Sequence, residues 1–215
     1  MRKKPLRLIT AVDLGISYPA YVYNSYGRFY PITKRNEILG FSTEHWNKYH
    51  NLSNKEKRVE TRIYNEKLEQ IYEYVSDYIV RLCPPKSILA LEDISPDTCE
   101  WMNILRSYKL MAMIIKKAKK NKVIICKVDP RNTSNMCPRC KNIDKSNRDK
   151  SKHLYICNRC GLIFNDDAIA AWNIHNRAVE KIFNINDRFL NLDNKLPIMI
   201  MKSSDYIIDE LESLY

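Results

Sequence analysis

The sequence predicts a mixed α/β fold: a sheet of antiparallel and parallel strands, helices on its faces, and a small cysteine-rich insert before the last helix. A hairpin pattern opens the chain, short apolar runs alternate with amphipathic segments in its middle, and two Cys-x-x-Cys pairs precede the last amphipathic segment. The 215 residues are 45% hydrophobic, which is enough for one packed core and excludes intrinsic disorder as the main state.

The first three strands are predicted over residues 6–12, 18–24 and 28–33. The second and third form a hairpin, because Gly27 lies between them and can adopt a positive φ. Residues 34–52 show no clear period and are predicted to be a loop.

A long helix is predicted from Ser53 to the Pro84-Pro85 pair. Ser53 and Glu56 have the spacing of a capping box, and apolar residues then recur at steps of three to five for about seven turns. Residues 87–91 are continuously apolar, which is typical of a strand buried on both faces.

The second half predicts a helix over residues 102–120, a buried strand over 123–126 and a last helix over 167–183. The interior faces of the two helices are expected to carry Leu105, Tyr108, Ala112 and Ile115, and Ile169, Trp172, Val179 and Phe183. Three antiparallel strands followed by parallel strands joined through helices give the element order of an RNase H-like domain.

Four of the seven cysteines form two Cys-x-x-Cys pairs separated by the 16 residues 141–156. Two such pairs can bring four thiolates to one tetrahedral zinc ion, and four ligands make the site structural. A redox dithiol or four core cysteines fit poorly, since residues 141–152 are too polar for a core. The predicted ligands are Cys137, Cys140, Cys157 and Cys160, whereas Cys83, Cys99 and Cys126 are expected in the core.

The formal net charge is +11, and residues 116–152 hold 13 Lys and Arg against 3 Asp and Glu. A concentrated positive field indicates a polyanion partner, nucleic acid being the commonest. The candidate phosphate contacts are Lys116, Lys117, Lys119, Lys120, Arg131, Arg139 and Arg159, with Tyr155 and Trp172 as candidate stacking groups. No apolar run is long enough to span a membrane and the N-terminus does not resemble a signal peptide, so we expect a cytoplasmic protein.

Three acids follow or begin predicted elements: Asp13 after the first strand, Glu92 after the fourth, and Asp167 in the first turn of the last helix. The first and fourth strands are expected to be neighbours, so these carboxylates can converge. Three adjacent carboxylates repel unless cations neutralise them, and hard divalent ions, Mg²⁺ or Mn²⁺, suit oxygen ligands. Two such ions could support phosphodiester hydrolysis.

The positions of four other polar residues near these motifs can also be predicted. Asp93 should face away from Glu92. Asp166 is either the N-cap of the last helix or an alternative to Asp167. His175 is expected to be packed or exposed, and His153 to lie on the surface.

A longer set of motifs carries a family resemblance. The motifs are Asp13-Leu-Gly15, Glu92-Asp93, Thr133-Ser134-x-x-Cys137-Pro-x-Cys140 and Cys157-x-x-Cys160-Gly161-x4-Asp166-Asp167-x-x-Ala170-Ala171-x-Asn173-Ile174. Over about residues 6–180 the chain resembles the TnpB/OrfB proteins of insertion sequences, which are relatives of the type V CRISPR effector nucleases. The resemblance implies a RuvC-like nuclease domain, a zinc-ribbon insert and the catalytic triad Asp13, Glu92 and Asp167.

The chain departs from the family pattern in three places. Asp166 stands where the family normally has Arg, and Ile169 where it normally has Asn. RNA-guided members carry a long portion before the first catalytic Asp that helps to hold guide RNA and target. Here that Asp is residue 13, so we expect the portion to be absent and leave a guide RNA as an open partner.

The predicted organisation is a nuclease core over residues 1–133, a zinc ribbon over 134–165, the last core helix over 166–184 and a tail of unassigned structure over 185–215. The predicted function is a transposon-associated, metal-dependent DNA endonuclease with structural Zn²⁺ and catalytic Mg²⁺ or Mn²⁺. Two alternatives stay open: a stand-alone branched-DNA resolvase, which would act as a homodimer, and a nucleic-acid-binding regulator that does not cleave.

Overall fold

The computed structural model describes residues 8–15, 19–33, 35–94 and 107–183. Their main feature is a five-stranded sheet in the order β3-β2-β1-β4-β5. Its first three strands pair antiparallel, and β1, β4 and β5 run parallel to one another, which confirms the predicted mixed sheet. The strands are β1 (Ile9–Asp13), β2 (Ala20–Asn24), β3 (Phe29–Ile32), β4 (Ile88–Glu92) and β5 (Ile124–Val128).

Helices cover both faces of this sheet: α1 (Arg35–Tyr49), α2 (Asn54–Arg81), α3 (Ser107–Lys120) and α4 (Asp166–Phe183). Side chains alternate along each strand, so Val12 and Leu91 pack against α2 and α3, whereas Ala11 and Ala90 face α4. The small alanine side chains allow α4 to lie close to β1 and β4. The start of α4 is thereby brought near the ends of these two strands.

Two local predictions are confirmed by backbone geometry. Gly27 has a φ of 74° in the turn between β2 and β3. Ser53 caps α2: its hydroxyl accepts from the Glu56 N–H, and the Glu56 carboxylate accepts from the Ser53 N–H.

The predicted loop over residues 34–52 is wrong, because Arg35–Tyr49 form α1. This helix packs against α2 through ring stacking: His45 is buried and its ring stacks on that of Tyr64 at a centroid distance of 4.5 Å. Histidine does not count as apolar in a periodicity search, so the buried stripe of the helix gives no clear signal.

Two other elements have a different buried face from the predicted one. In α3 the buried residues are Leu110, Met111, Ile114 and Ala118, whereas Tyr108 and Ala112 are exposed. β5 is the edge strand of the sheet, so it is partly exposed and only Val128 is buried within it. Cys126 is accordingly half-buried, whereas Cys83 is buried as predicted.

The cysteine-rich insert forms a second, three-stranded antiparallel sheet of β6 (Arg148–Asp149), β7 (Leu154–Ile156) and β8 (Ile163–Asn165). Its small interior contains Cys137, Cys157 and Leu162 around the fully buried Tyr155, and Ile169 of α4 joins this cluster. Tyr155 is therefore a core residue of the insert and is not available for base stacking. Trp172 is half-buried and packs against Tyr23 and Phe29 at the margin of the core.

Several predictions lie outside the described residues: the tail 185–215, Cys99, and the part of the predicted helix over residues 102–106. Among the helices within the described ranges, none has the length and apolar character needed to cross a membrane.

Candidate functional site

The ends of β1 and β4 place two acids side by side. These strands are parallel and in register, with Val12 opposite Leu91, so the next residues, Asp13 and Glu92, lie at the same edge of the sheet. The first turn of α4 adds Asp167, which is 5% exposed. We call Asp13, Glu92, Asp166 and Asp167 the acid edge.

The ionised form of Asp13 is disfavoured at the acid edge. The pKa of Asp13 lies well above its usual range, first because of desolvation and then because of the negative charges of Glu92 and Asp167. Burial also raises the pKa of Glu92, although a hydrogen bond from Thr133 and the charge of Arg177 oppose this rise. Four carboxylates thus share one region with two guanidinium groups, those of Arg148 and Arg177.

A loop that leads into the insert holds Glu92 in place. The Thr133 hydroxyl lies 2.5 Å from Glu92 Oε1. Asn173 Nδ2 of α4 donates to the carbonyls of Thr133 and Met136, each at 2.7 Å, and Arg177 donates to the carbonyls of Asp129 and Arg131. The sequence motif contained Thr133 and Asn173, but their contacts depend on tertiary structure that spacing alone does not give.

Asp166 is neither the helix cap nor an exposed residue. The cap is Asn165, whose Oδ1 accepts from the N–H groups of Asp167 and Ala168 at 3.0 Å each. Asp166 is 1% exposed, and Arg148 Nε of β6 lies 2.6 Å from its Oδ2. The other end of the same guanidinium reaches Asp167 Oδ1 at 3.2 Å. Sequence reasoning assigned no role to Arg148, because its charge was one of many in a basic segment.

His153 is also part of this region, which corrects its predicted surface position. Its Nδ1 lies 3.4 Å from Asp166 Oδ1 and 3.8 Å from Asp167 Oδ2. Histidine and two carboxylates within 4.8 Å of one another are a set of groups that could hold a metal ion.

The remaining minor predictions agree with the structure. The Asp93 carboxylate points to solvent and pairs with Lys127 at 3.0 Å. His175 is packed against Tyr23, and its Nε2 lies 3.0 Å from Ser25 Oγ. Burial lowers the pKa of His175 to about 4.

The four cysteines of the insert form one cluster in which all four sulfur atoms lie within 4.8 Å of one another. Two of the sulfur–sulfur distances are 3.6 Å, for Cys137 and Cys160, and 3.5 Å, for Cys140 and Cys157. Four sulfurs about 2.3 Å from a tetrahedral zinc ion would lie about 3.8 Å apart, so the cluster fits zinc.

Backbone groups also favour thiolates in this cluster. Desolvation opposes ionisation of Cys157, but the N–H groups of Arg159 and Cys160 donate to its sulfur and lower its pKa to about 7. The N–H groups of Arg139 and Cys140 likewise donate to the sulfur of Cys137. Burial nevertheless raises the pKa of Cys137.

The predicted phosphate contacts divide into two groups. Lys116, Lys119, Lys120, Arg139 and Arg159 are exposed. Lys117 pairs with Glu73 and with Asp77, the latter at 2.7 Å, and Arg131 pairs with Asp129. The charges of Lys117 and Arg131 are therefore partly neutralised within the protein.

Comparison with family models gives a match over residues 108–174 to the model described as "Cas12f1-like, TNB domain". Residues 108–174 are therefore similar to this family. The Cas12f1-like TNB region includes most of α3, β5, the four clustered cysteines and the start of α4 with Asp167. Asp13 and Glu92 precede it in the chain.

A curated relative and two solved structures extend this similarity. The CRISPR-associated endodeoxyribonuclease Cas12f1 of Sulfoacidibacillus thermotolerans is 39% identical over 75 residues, which are 35% of this chain and 18% of that protein. The cryo-EM structure of a Cas12f1–sgRNA–target DNA complex matches 81% of this chain and 51% of that chain, with a TM-score of 0.63 and 20% identity. The mini-RNA-guided endonuclease CRISPR-Cas_phi3 matches 80% of this chain and 45% of that chain, with a TM-score of 0.57 and 11% identity.

These findings confirm the resemblance to the TnpB-related type V effector family that the motifs predict. The two solved structures, at 20% and 11% identity, show a similarity of fold alone. The chain spans about half the length of the first matched structure and a smaller share of the curated relative.

Proposed function

We propose that this chain is a divalent-metal-dependent DNA endonuclease with a RuvC-like core and a zinc-ribbon insert. The observation that carries the proposal is the convergence of Asp13, Glu92 and Asp167. Burial, and then the charges of the other two acids, raise the pKa of Asp13. The relationship to an endodeoxyribonuclease supports the same reaction class.

The acid edge suits Mg²⁺ or Mn²⁺, since its carboxylate oxygens are hard ligands. Its four carboxyl groups also outnumber the two nearby guanidinium groups. Asp13, Glu92 and Asp167 would hold two ions. Such ions supply activation of a water molecule and stabilisation of the leaving oxygen in phosphodiester hydrolysis. Thr133 would fix the carboxylate orientation of Glu92, and α4 would fix that of Asp167.

The proposed zinc site is structural. Cys137, Cys140, Cys157 and Cys160 offer four sulfur ligands, which leave no open position for chemistry. Zinc would hold the small insert in the shape that presents Thr133 and Arg148 to the acid edge.

The proposed partners are DNA and a guide RNA. The exposed Lys116, Lys119 and Lys120 at the end of α3, with Arg139 and Arg159 in the insert, are the candidate phosphate contacts. A guide RNA is proposed because the matched Cas12f1 structure is a complex with sgRNA and target DNA. An RNA of defined sequence that copurifies with the chain would support this part of the proposal.

The test compares wild type with Asp13→Asn on single-stranded, duplex and four-way-junction DNA in Mg²⁺, with and without copurified RNA. The control variant is Asp93→Asn, which changes an exposed carboxylate that pairs with Lys127. We expect Asp13→Asn to abolish cleavage and Asp93→Asn to retain it. Wild type and Asp13→Asn acting alike on every substrate would contradict the nuclease, and cleavage of junctions alone would favour a resolvase.

A further inference from the structure

Two buried or partly buried charged residues at the acid edge, Asp166 and Arg148, are not used by the proposed chemistry. Asp166 is 1% exposed and lies in the first turn of α4. Arg148 is 17% exposed and comes from β6 of the insert, 18 residues away in sequence. Neither residue is needed to complete three carboxylate ligands.

The geometry makes Asp166 the closer partner of Arg148. The Nε–Oδ2 distance to Asp166 is 2.6 Å, whereas the Nη2–Oδ1 distance to Asp167 is 3.2 Å. One carboxylate and one guanidinium cancel in charge, so the pair adds no net charge beside Asp167. Without Asp166, the guanidinium would neutralise Asp167 itself and repel a cation there.

We propose that Asp166 and Arg148 form a charge-compensating pair that positions Asp167 and preserves its affinity for a divalent cation. Both are positioning residues. Arg148 fixes Asp167 Oδ1 through one N–H, and Asp166 keeps the charge of Arg148 from competing with the cation. The inference rests on the proposed function, because it takes Asp167 to be a metal ligand.

A single charge removed from this partly buried pair should change cation affinity in a predictable direction. Asp166→Asn leaves the guanidinium facing Asp167 alone, so Mn²⁺ should bind about tenfold more weakly. Arg148→Gln removes the positive charge but keeps an N–H donor for Asp167 Oδ1, so the extra negative charge should make Mn²⁺ bind about tenfold more tightly. The double variant D166N/R148Q removes both charges and should return the affinity to within about threefold of wild type.

The experiment titrates Mn²⁺ alone into the zinc-loaded full chain and measures free Mn²⁺ by electron paramagnetic resonance. Zinc content and thermal melting identify any variant that fails to fold, and Arg148→Lys then serves as a second test, expected to keep the wild-type affinity. The proposed charge compensation would be overturned if Asp166→Asn bound Mn²⁺ as tightly as wild type. It would also be overturned if the double variant bound Mn²⁺ as weakly as Asp166→Asn.

Asp13→Asn separates this inference from the function on which it rests. Mn²⁺ binding that disappears in Asp13→Asn but does not respond to Asp166→Asn refutes the charge-compensating pair and leaves the metal site intact. Binding that is unchanged in Asp13→Asn refutes the metal site, and with it both proposals.

Discussion

The Thr133 hydroxyl joins the loop before the insert to Glu92 of the acid edge. Its Oγ1 lies 2.5 Å from Glu92 Oε1 and also 3.0 Å from the carbonyl of Pro130. A hydroxyl has one proton, so the bond to the carboxylate and the bond to the carbonyl compete for it. The charged acceptor is the stronger one, and Thr133 therefore fixes one oxygen of Glu92.

We predict that Thr133→Val lowers the rate of DNA cleavage about tenfold. Valine keeps the shape of threonine but donates no hydrogen bond, and a lost bond to a charged group costs about 1.5–3 kcal/mol. Thr133→Ser is the matched control and should retain most of the rate. Single-turnover cleavage measures both, and a valine variant as fast as wild type would show that Glu92 needs no such support.

We predict that His175 makes the free energy of unfolding depend on pH. Its pKa is lowered to about 4 by burial, against about 6.5 in an unfolded chain. The unfolded state therefore binds the proton more readily, so stability falls as the pH drops below about 6.5 and the loss is complete only below about 4.

The substitution that isolates this effect is His175→Gln, which removes the titrating ring and can still contact Ser25. Between pH 7.5 and pH 5 we expect wild type to lose about 2 kcal/mol more of its free energy of unfolding than the variant. Urea denaturation at both pH values, with zinc present, measures the difference. Equal losses in the two proteins would mean that the ring is accessible to protons in the folded state.

Single residues also show what a sequence can reveal about a site. Asp13 and Glu92 could be found because each directly follows an apolar run, and parallel neighbouring strands end at one edge. Arg148 and His153 could not be found this way. Their position depends on how the insert folds back onto the start of α4, which no local pattern encodes.

At the scale of elements, α2 is the longest described helix and is anchored by its capping box. It spans 28 residues and buries a stripe of side chains against the sheet, among them Leu68, Val75 and Ile79. The box satisfies two N–H groups that would otherwise lack partners at the start of the helix.

We predict that Ser53→Ala lowers the free energy of unfolding by about 1 kcal/mol, because the cap is lost while the exposed surroundings stay unchanged. Combining it with Glu56→Ala should add less than the sum of the two single effects, since the box is reciprocal. Thermal or urea unfolding of the four proteins gives the coupling. Strictly additive effects would mean that the two hydrogen bonds act independently.

The elements differ in how far their patterns could be interpreted. β4 is continuously apolar and buried because it lies between β1 and β5, so its prediction holds. β5 has a similar composition but forms the edge, and sheet order is not a local property. The face of α3 was misassigned because nearly every position from Leu110 to Ile115 is apolar, so several stripes fit the sequence equally well.

At the scale of the whole molecule, the insert and the loop that leads into it contact two of the three proposed catalytic acids. The loop that leads into it supports Glu92 through Thr133, and its strand β6 supports Asp167 through Arg148. The same insert contains the four-cysteine cluster. Zinc binding and the geometry of the acid edge should therefore be linked, although a zinc ion held by four cysteines would have no open position for catalysis.

We predict that zinc removal weakens Mn²⁺ binding and abolishes cleavage while leaving the five-stranded sheet folded. Structural zinc contributes on the order of 10 kcal/mol to the folding of small domains, so the insert should unfold without it. Cys157→Ser with chelator should reproduce the effect, and Cys126→Ser, outside the cluster, is the control. Circular dichroism and Mn²⁺ titration report the two regions separately. Unchanged Mn²⁺ affinity after zinc loss would show that the insert and the acid edge are independent.

The central claim is that Asp13, Glu92 and Asp167 together bind divalent cations. Anomalous diffraction from crystals grown with Mn²⁺ tests it most directly. We predict two peaks about 4 Å apart within ligand distance of these carboxylates, and their loss in Asp13→Asn. Zinc at the four cysteines with no Mn²⁺ peak beside Asp13 and Glu92 would contradict the account.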